Sequence, residues 1–306
     1  MIAFVLSGGG NRGATQIGAL AALMEHGIVP DLIVGTSAGA LNGVSLAVEP
    51  TREHAQRLCA IWRRIQRDNI FPGNPLTASW RILTSQGSLH DRRNFRRFVQ
   101  SLMPSPDITF RDLKVPSVVT ATVLSSGRVR LFGPRSDELI MDALMASTAI
   151  PPFFAPYKYQ DEWLVDGAVV TNLPLHIAVA NGARTIYALE IVDDTLPVSG
   201  RSVSQTMAYA VRAMISQQHE SERRIVQLER RGITVHPIRL AMGQDLAYND
   251  FRSSGKLLDE GYRVTNDYLK NLPEARFAAY QRMAESVRTM FRRMRLRHTP
   301  SEVSHI

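Results

Sequence analysis

Residues 32–44 read Leu-Ile-Val-Gly-Thr-Ser-Ala-Gly-Ala-Leu-Asn-Gly-Val, and this stretch decides the fold class. Its apolar start predicts a buried β-strand, and the residues after Ser37 predict a helix. The Gly-x-Ser-x-Gly pattern between them is typical of a sharp strand-to-helix turn that exposes a serine hydroxyl. Gly35 and Gly39 suit such a turn because larger side chains at its flanks would collide. The stretch therefore predicts a nucleophilic Ser37 at the amino end of a helix, where the partial positive charge favours anions.

The chain opens on a second strand, turn and helix. The apolar run at residues 2–6 predicts a buried strand, and three successive glycines, Gly8, Gly9 and Gly10, follow it before a helix. Such glycines let the backbone approach a ligand closely, so that N–H groups can bind a negative oxygen. A right-handed parallel crossover would bring this loop and the Ser37 turn side by side at the carboxyl ends of neighbouring strands. The loop is therefore a candidate oxyanion hole.

The same loop also fits a different class of site. Gly8, Gly10 and Gly13 match the Gly-x-Gly-x-x-Gly pattern of dinucleotide-binding turns, and Asp31 lies near the place expected for a ribose-binding acid. A dinucleotide-dependent enzyme is therefore an alternative at this point. It leaves the serine turn unexplained.

An aspartate far along the chain is the candidate base. Asp166 follows an apolar run and precedes Gly167 and Ala168. Asp-Gly is more often a simple turn, but beside the glycine loop and Ser37 this carboxylate can accept a proton from the serine. The alternative is a Ser-His-Asp triad, which needs a late histidine. The candidates are His176, His219, His236 and His298; the first and third lack a surrounding motif, and charged helical surroundings predict that His219 and His298 lie on solvated faces.

Together these motifs resemble those of the patatin-like phospholipases, lipid acyl hydrolases with a Ser-Asp dyad. The glycine loop with Gly13, the Ser37 turn and the Asp166-Gly167-Ala168 segment occur in the family's order, with softer matches at 146–154 and 166–174. The resemblance covers roughly the first 190 residues. It implies a three-layer α/β/α fold with a mainly parallel central sheet.

The resemblance also implies a mechanism. Asp166 would take the Ser37 proton directly, and the N–H groups of Gly9, Gly10 and Ala38 would hold the oxyanion of an acyl transfer. The expected substrate is a lipid or phospholipid ester, with no cofactor and no metal. A general carboxylesterase or thioesterase is the alternative within the same chemistry.

Two polar residues of the glycine loop receive separate interpretations. Arg12 stands at the start of a helix, where a cation opposes the helix dipole and needs an anionic partner. The partner is a substrate phosphate or, the interpretation that we favour, a structural carboxylate that fixes the loop. Asn11 is expected to tolerate an unusual backbone angle rather than to contact substrate.

The composition is that of an ordinary soluble α/β protein. The chain has 306 residues, 44% hydrophobic and 21% charged, with a formal net charge of +8. One domain over 1–270 accommodates the motifs. Cys59 is the single cysteine, so no disulfide forms within the chain, which fits a reducing, cytoplasmic location. No signal peptide is expected because Met1 leads directly into a strand, and no run of eighteen apolar residues could span a membrane.

The carboxyl-terminal residues 271–306 are expected to be a separate basic extension. From Glu274 onward the chain has seven arginines and three glutamates, a net charge of +4. Apolar residues recur at spacings of three and four, which predicts a basic amphipathic helix over 274–298. It would lie on an anionic membrane, or pack on the core or on a second subunit of a homo-oligomer. Nucleic-acid binding is disfavoured because no recognised fold supports it.

Residues 69–90 are irregular, with prolines and glycines that prevent a continuous helix. They are interpreted as a loop packed on the core or as a lid over the serine, with the former favoured. Elsewhere strands and helices alternate. Strands are predicted at 2–6, 32–36, 116–124, 128–132, 162–165, 185–191 and 234–238, and helices at 13–26, 38–47, 51–67, 91–102, 137–146, 174–181, 203–231, 254–270 and 274–297.

Overall fold

The computed structural model describes residues 1–66, 70, 91–135, 137–192, 203–228, 232–241 and 250–272. The predicted loop or lid at 69–90 lies outside these residues, apart from Ile70. The predicted basic helix at 274–298 lies outside them as well. Both interpretations therefore stay predictions.

The described chain alternates strands and helices over most of its length. The strands are β1 (Ile2–Leu6), β2 (Leu32–Thr36), β3 (Ser117–Val123), β4 (Val129–Phe132), β5 (Tyr157–Tyr159), β6 (Glu162–Asp166), β7 (Thr185–Val192) and β8 (Thr234–Ala241). The helices are α1 (Gly13–Glu25), α2 (Ala38–Val48), α3 (Arg52–Arg64), α4 (Arg93–Leu102), α5 (Ile140–Ser147), α6 (Leu175–Ala180), α7 (Val203–Leu228) and α8 (Ser254–Lys270). Short 3₁₀ turns occur at Gly10–Arg12, Phe110–Asp112 and Gly167–Val169.

All eight strands form one sheet, in the order β5-β6-β3-β2-β1-β7-β8 with β4 paired to β3. The five strands from β3 to β8 along this order are parallel to their neighbours, while β4, β5 and β6 pair antiparallel. In the parallel register, Leu6 of β1 lies opposite Gly35 of β2. The glycine loop after β1 and the Ser37 turn after β2 therefore leave the same edge of the sheet side by side, as predicted.

Helices cover both faces of the sheet. On one face, Ala3 and Val5 of β1 belong to a buried cluster with Leu175 of α6 and Val226 of α7. On the other face, α2 lies so close that a side chain on Gly43 would contact Ile33 of β2. Alternate residues of β1 thus face opposite helical layers. The predicted three-layer α/β/α fold with a mainly parallel sheet is confirmed.

Apart from shifts of a few residues at the ends of elements, the observed elements differ from the predicted ones in one additional strand and one later helix start. Strand β5 was not predicted, because it has only three residues and lies at the end of the sheet with incompletely buried side chains. The helix predicted from residue 137 begins instead at Ile140. Leu139 forms a β-bridge with Thr109 and has an extended backbone, and the Glu138 carboxylate accepts the Gly133 N–H at 2.9 Å, so the helix begins only after these two residues.

By compactness the chain divides into a unit from Met1 to Asn266 and a second unit from Asp267 to Ile306. The boundary predicted after residue 270 stays a prediction. Along the described parts of the chain, no helix combines the length and the apolar character that a membrane crossing requires.

Candidate active site

Ser37 occupies the turn between β2 and α2 in a conformation that serine rarely adopts. Its φ is 55° and its ψ is −122°, whereas a non-glycine residue is uncommon at positive φ. Such a conformation persists where the surroundings determine it. Here the Ser37 N–H donates to Ser147 Oγ at 2.8 Å, and the Ser37 carbonyl accepts the Leu41 N–H at 3.1 Å. Ser147 is therefore a support of this turn, and the sequence did not single out its side chain.

The two flanking glycines permit backbone to pack against backbone. A side chain on Gly39 would lie 2.5 Å from the carbonyl oxygens of both Leu6 and Ser7. One on Gly35 would lie 2.7 Å from the N and Cα atoms of Ala40. Main-chain atoms cannot rotate away as side chains can, so this turn requires glycine at both places.

Asp166 is the last residue of β6 and is fully buried. One carboxylate oxygen accepts the Ser37 hydroxyl at 2.6 Å, and the other accepts the Ala168 N–H at 2.8 Å. Its main-chain N–H donates to Ala149 O at 3.0 Å. Its main-chain carbonyl accepts the Thr122 hydroxyl at 3.0 Å. Both carboxylate oxygens and both main-chain polar groups are thus bonded, which fixes the carboxylate on the serine.

The environment makes this carboxylate a stronger base than an ordinary aspartate. Burial raises the pKa of Asp166 to about 7, although the Ser37 hydroxyl, the Ala168 N–H and the positive charge of Arg92 each oppose the rise. A base with a pKa near neutrality can accept a proton and later return it within one catalytic cycle.

The cation that acts on Asp166, Arg92, is itself partly buried. The Arg92 guanidinium donates to the Met145 carbonyl and lies 5.5 Å from the ring centres of Phe154 and Tyr157. Burial lowers the pKa of Arg92 to about 10, so the group remains charged near neutral pH. No sequence pattern indicates a role for Arg92, because only the packing of α4 against α5 places it near Asp166.

The glycine loop lies directly against the serine turn. The Gly8 N–H donates to the Asn172 carbonyl at 3.2 Å. A side chain on Gly8 would come within 2.9 Å of Asn172 Nδ2 and 3.2 Å of Ser37 Cβ, and one on Gly13 within 3.0 Å of Ala38 Cβ. The loop therefore passes over Ser37 and Ala38, the first residue of α2.

Three amides around Ser37 remain as candidate donors to a ligand. No acceptor among the described residues takes a hydrogen bond from the N–H groups of Gly9, Gly10 and Ala38. The Gly8 N–H differs, because Asn172 already accepts it. Of the predicted loop residues, Gly8 therefore contributes close packing rather than a free donor.

The polar residues of the loop depart in part from the prediction. Gly10, with a φ of 60°, has the left-handed backbone that was expected of Asn11. The buried Asn11 side chain instead donates to the Asp250 carbonyl at 2.8 Å, which ties the loop to a distant segment. Arg12 ends the 3₁₀ turn, and its carbonyl accepts the Thr15 hydroxyl at 2.8 Å. The role of its guanidinium stays a prediction.

The structure argues against the dinucleotide alternative. The Asp31 carboxylate accepts the Ile2 N–H at 2.8 Å and so lies at the amino ends of β1 and β2. The glycine loop lies at the opposite edge of the sheet. Asp31 therefore cannot act as the ribose-binding acid beside that loop.

The histidines do not complete a triad either. Ser37 Oγ donates directly to Asp166, so no imidazole lies between the two side chains. His176 bonds to Glu222 at 2.7 Å, His236 stacks on Tyr187, and His298 lies outside the described residues. The solvated position predicted for His219 is wrong: its side chain is buried between Glu190 and Asn172.

Cys59 and the His, Asp and Glu residues of the described structure are the remaining side chains that could react or bind a metal. Burial raises the pKa of the Cys59 thiol to about 11, which keeps it protonated and unreactive near neutral pH. Among the described residues, no cluster of three or more His, Cys, Asp or Glu side chains could hold a metal ion.

Comparison with known proteins identifies the family. Residues 4–179, more than half of the chain, match the family model described as patatin-like phospholipase. The chain belongs to the patatin-like phospholipase family. The predicted family and its enzyme class, the lipid acyl hydrolases, agree with this match.

Relatives within the family are similar over this same part of the chain. Patatin-like phospholipase domain-containing protein 6 of Mus musculus is 31% identical over 191 residues, which cover 62% of this chain and 13% of that protein. Lysophospholipase NTE1 of Mycosarcoma maydis is 28% identical over 206 residues, 64% of this chain and 10% of that protein. The match thus spans 13% of the length of the first relative and 10% of the second.

A solved structure shares the fold. The crystal structure of VipD from Legionella pneumophila has a TM-score of 0.50 at 15% sequence identity, over 88% of this chain and 66% of that one. At this identity the likeness concerns the fold alone.

Proposed function

We propose that this chain is a serine acyl hydrolase that cleaves ester bonds of lipids, with phospholipids as the substrate class, through Ser37 and Asp166. The observation that carries the proposal is the 2.6 Å hydrogen bond from the Ser37 hydroxyl to the fully buried Asp166 carboxylate. A hydroxyl bonded to a base on a strained strand-to-helix turn is the arrangement of an activated nucleophile. Membership of the patatin-like phospholipase family supports lipid esters as substrates.

In the first half of the reaction, Ser37 Oγ attacks the carbonyl carbon of the ester while its proton passes to Asp166. The tetrahedral intermediate then collapses, the bond to the alcohol oxygen breaks, and Asp166 returns the proton to the leaving alcohol. The product that remains on the enzyme is an acyl ester of Ser37.

The negative oxygen of the intermediate needs donors that are already in place. We assign this role to the N–H groups of Gly9, Gly10 and Ala38. Their lack of a protein acceptor among the described residues supports the assignment, as does the contact of Gly8 and Gly13 with the serine turn. Ala38 also begins α2, whose amino end favours negative charge.

In the second half, Asp166 accepts a proton from a water molecule that attacks the acyl carbonyl. The ester bond to Ser37 Oγ breaks, and the proton returns to the serine as the carboxylic acid leaves. Because one carboxylate serves both halves, its pKa near 7 suits both proton acceptance and proton return.

Covalent labelling tests the nucleophile. A fluorophosphonate probe is expected to modify Ser37 and no other serine, as read by peptide mass spectrometry after digestion. The Asp166→Asn variant, although folded, is expected to lose this label because the hydroxyl has lost its base. Labelling of a different serine, or equal labelling of the variant, would overturn the assignment. Comparing a phospholipid with a soluble ester and a thioester then separates lipid hydrolysis from the carboxylesterase and thioesterase alternatives.

The pH dependence of the reaction follows from the raised pKa of Asp166. The carboxylate is the active form, so kcat/KM for a soluble ester is expected to fall about tenfold per pH unit below pH 7 and to level off above it. If Asp166 had the ordinary aspartate pKa of 3.8, kcat/KM would stay unchanged down to about pH 5. A profile that stays flat between pH 5 and 8 would contradict the burial argument.

The same shift has a consequence for stability. The folded protein favours the protonated carboxyl of Asp166. Its contribution to the free energy of unfolding is therefore complete at pH values below the pKa of the unfolded chain, and it is lost as the pH rises through about 7.

Peripheral contact with anionic membranes is a further part of the proposal, and it rests on the sequence of residues 274–298. Seven arginines follow residue 273, and each can add attraction to anionic headgroups. A chain that ends at Leu272 is expected to sediment less with vesicles containing phosphatidylserine, while its hydrolysis of a soluble ester is unchanged. Equal sedimentation of the folded truncated chain would refute the contact.

A further inference from the structure

A buried histidine, His219, contacts Asn172, and Asn172 in turn contacts the glycine loop. His219 is in the middle of α7, and its side chain is 3% exposed. Its Nδ1 atom lies 2.8 Å from the Glu190 carboxylate and its Nε2 atom 2.7 Å from Asn172 Oδ1. The imidazole therefore joins a carboxylate at the end of β7 to a side chain beside the active site.

The carboxylate side of this chain of contacts is fixed. Glu190 is 2% exposed, and Arg223 donates to both of its oxygens at 2.7 and 2.8 Å. Burial alone would raise the pKa of Glu190, but the bonds from His219 and Arg223 outweigh it and hold the pKa below its ordinary value. Because Glu190 is charged and accepts two hydrogen bonds from Arg223, it holds the His219 imidazole in a fixed position.

The other side leads to the catalytic turn. Asn172 is buried, and its main-chain N–H donates to Gln218 Oε1 at 3.1 Å, so α7 holds it at two points. Its carbonyl accepts the Gly8 N–H, and its side-chain Nδ2 lies where a Gly8 side chain would come within 2.9 Å. Whatever fixes Asn172 therefore also fixes Gly8 against Ser37.

We propose that His219 is a positioning residue of the active site, which acts through Asn172 to hold Gly8 and the following loop amides over Ser37. This inference rests on the proposed function, in which those amides bind the oxyanion. Hydrogen-bond donors stabilise a transition state strongly only when they are held in place before the reaction. A small displacement of the loop lowers the rate of the chemical step without removing a group that binds substrate.

The test is the His219→Ala variant of the full chain, with His176→Ala as the matched control. His176 also pairs with a carboxylate of α7, Glu222, but contacts neither Asn172 nor Gly8 in the described structure. With a soluble ester, kcat of His219→Ala is expected to fall on the order of 10- to 100-fold while KM changes less than about twofold. The control is expected to keep both constants within about twofold of the wild type.

A double variant and hydrogen exchange separate positioning from a general structural role. If His219 acts through Asn172, adding His219→Ala to Asn172→Ala is expected to lower kcat little further, because the two losses are not additive. The Gly8 amide is expected to exchange about tenfold faster in His219→Ala, while amides of β2 exchange at the wild-type rate. Equal kcat in the His219 and His176 variants, or unchanged exchange at Gly8, would overturn the proposal.

The outcomes also distinguish this inference from the proposed function. A wild-type chain that reacts with the fluorophosphonate probe, combined with an unaffected His219→Ala variant, refutes the positioning role alone. A wild-type chain that neither reacts nor hydrolyses esters refutes the proposed function. Faster exchange at Gly8 in the variant would then still show that His219 holds the loop.

Discussion

Replacing Asp166 by asparagine is expected to lower kcat for ester hydrolysis by about 10³-fold or more while the fold is retained. The asparagine oxygen can still accept the Ala168 N–H, so the turn after β6 keeps its hydrogen bond. The amide group on the other side faces Ser37 Oγ and cannot accept its proton. The variant therefore removes the base and little else.

Ser37→Ala is expected to cause a loss of similar size, and the double variant a loss no larger than either single one. Residues that act as one unit in the same step are not additive, whereas independent contributions would multiply. Steady-state rates with a soluble ester and with a dispersed phospholipid measure these losses. Asp31→Asn is the control, because that carboxylate lies at the opposite edge of the sheet, and it is expected to keep the wild-type rate. An Asp166→Asn enzyme with more than a tenth of wild-type kcat would refute the dyad.

The second large effect is on stability. Gly39→Ala is expected to lower the free energy of unfolding by about 3 kcal/mol or more, because the new methyl group would lie 2.5 Å from two main-chain carbonyl oxygens. Relief requires α2 to move away from the end of β1, which would also displace Ser37. Urea unfolding followed by circular dichroism measures the loss.

Gly255→Ala is the matched control for this substitution. Among the described residues, its new methyl group would meet only Arg63 Nη1, at 3.3 Å, and the end of that side chain can move aside. Alanine also favours a helix over glycine, so the control is expected to be as stable as the wild type or more so. Similar unfolding midpoints for both variants would show that the serine turn tolerates a side chain and that the close packing described here is wrong.

The sequence predicted the parts of the site that depend on local pattern. The apolar runs before Gly8, Ser37 and Asp166 are strands in the structure. For β1 and β2 the reason is that a parallel strand buried on both faces requires continuous apolar residues, whereas β6 pairs antiparallel and only its last three residues are buried. Topology then places Ser37 and Asp166 together although they are 129 residues apart in the chain. Their convergence was expected from the resemblance to a family rather than from spacing.

The residues that support the site could not be predicted in this way. The side chains of Ser147, Arg92 and His219 meet partners far away in the chain. Arg92 and His219 also lack any surrounding pattern that indicates burial. Charged neighbours on α7 even suggested that His219 faces solvent. A polar side chain of a helix can be buried where other elements supply hydrogen-bond partners, as Glu190 and Asn172 do for His219.

Residues 147–149, at the end of α5, hold both Ser37 and Asp166. Ser147 accepts the N–H of Ser37 and Ala149 accepts the N–H of Asp166, so two residues of this three-residue segment hold the main chains of Ser37 and Asp166. A shift of this segment would carry both groups in the same direction and leave their separation almost unchanged. We therefore expect substitutions in distant loops to leave the Ser37–Asp166 distance unchanged as long as residues 147–149 keep these two hydrogen bonds.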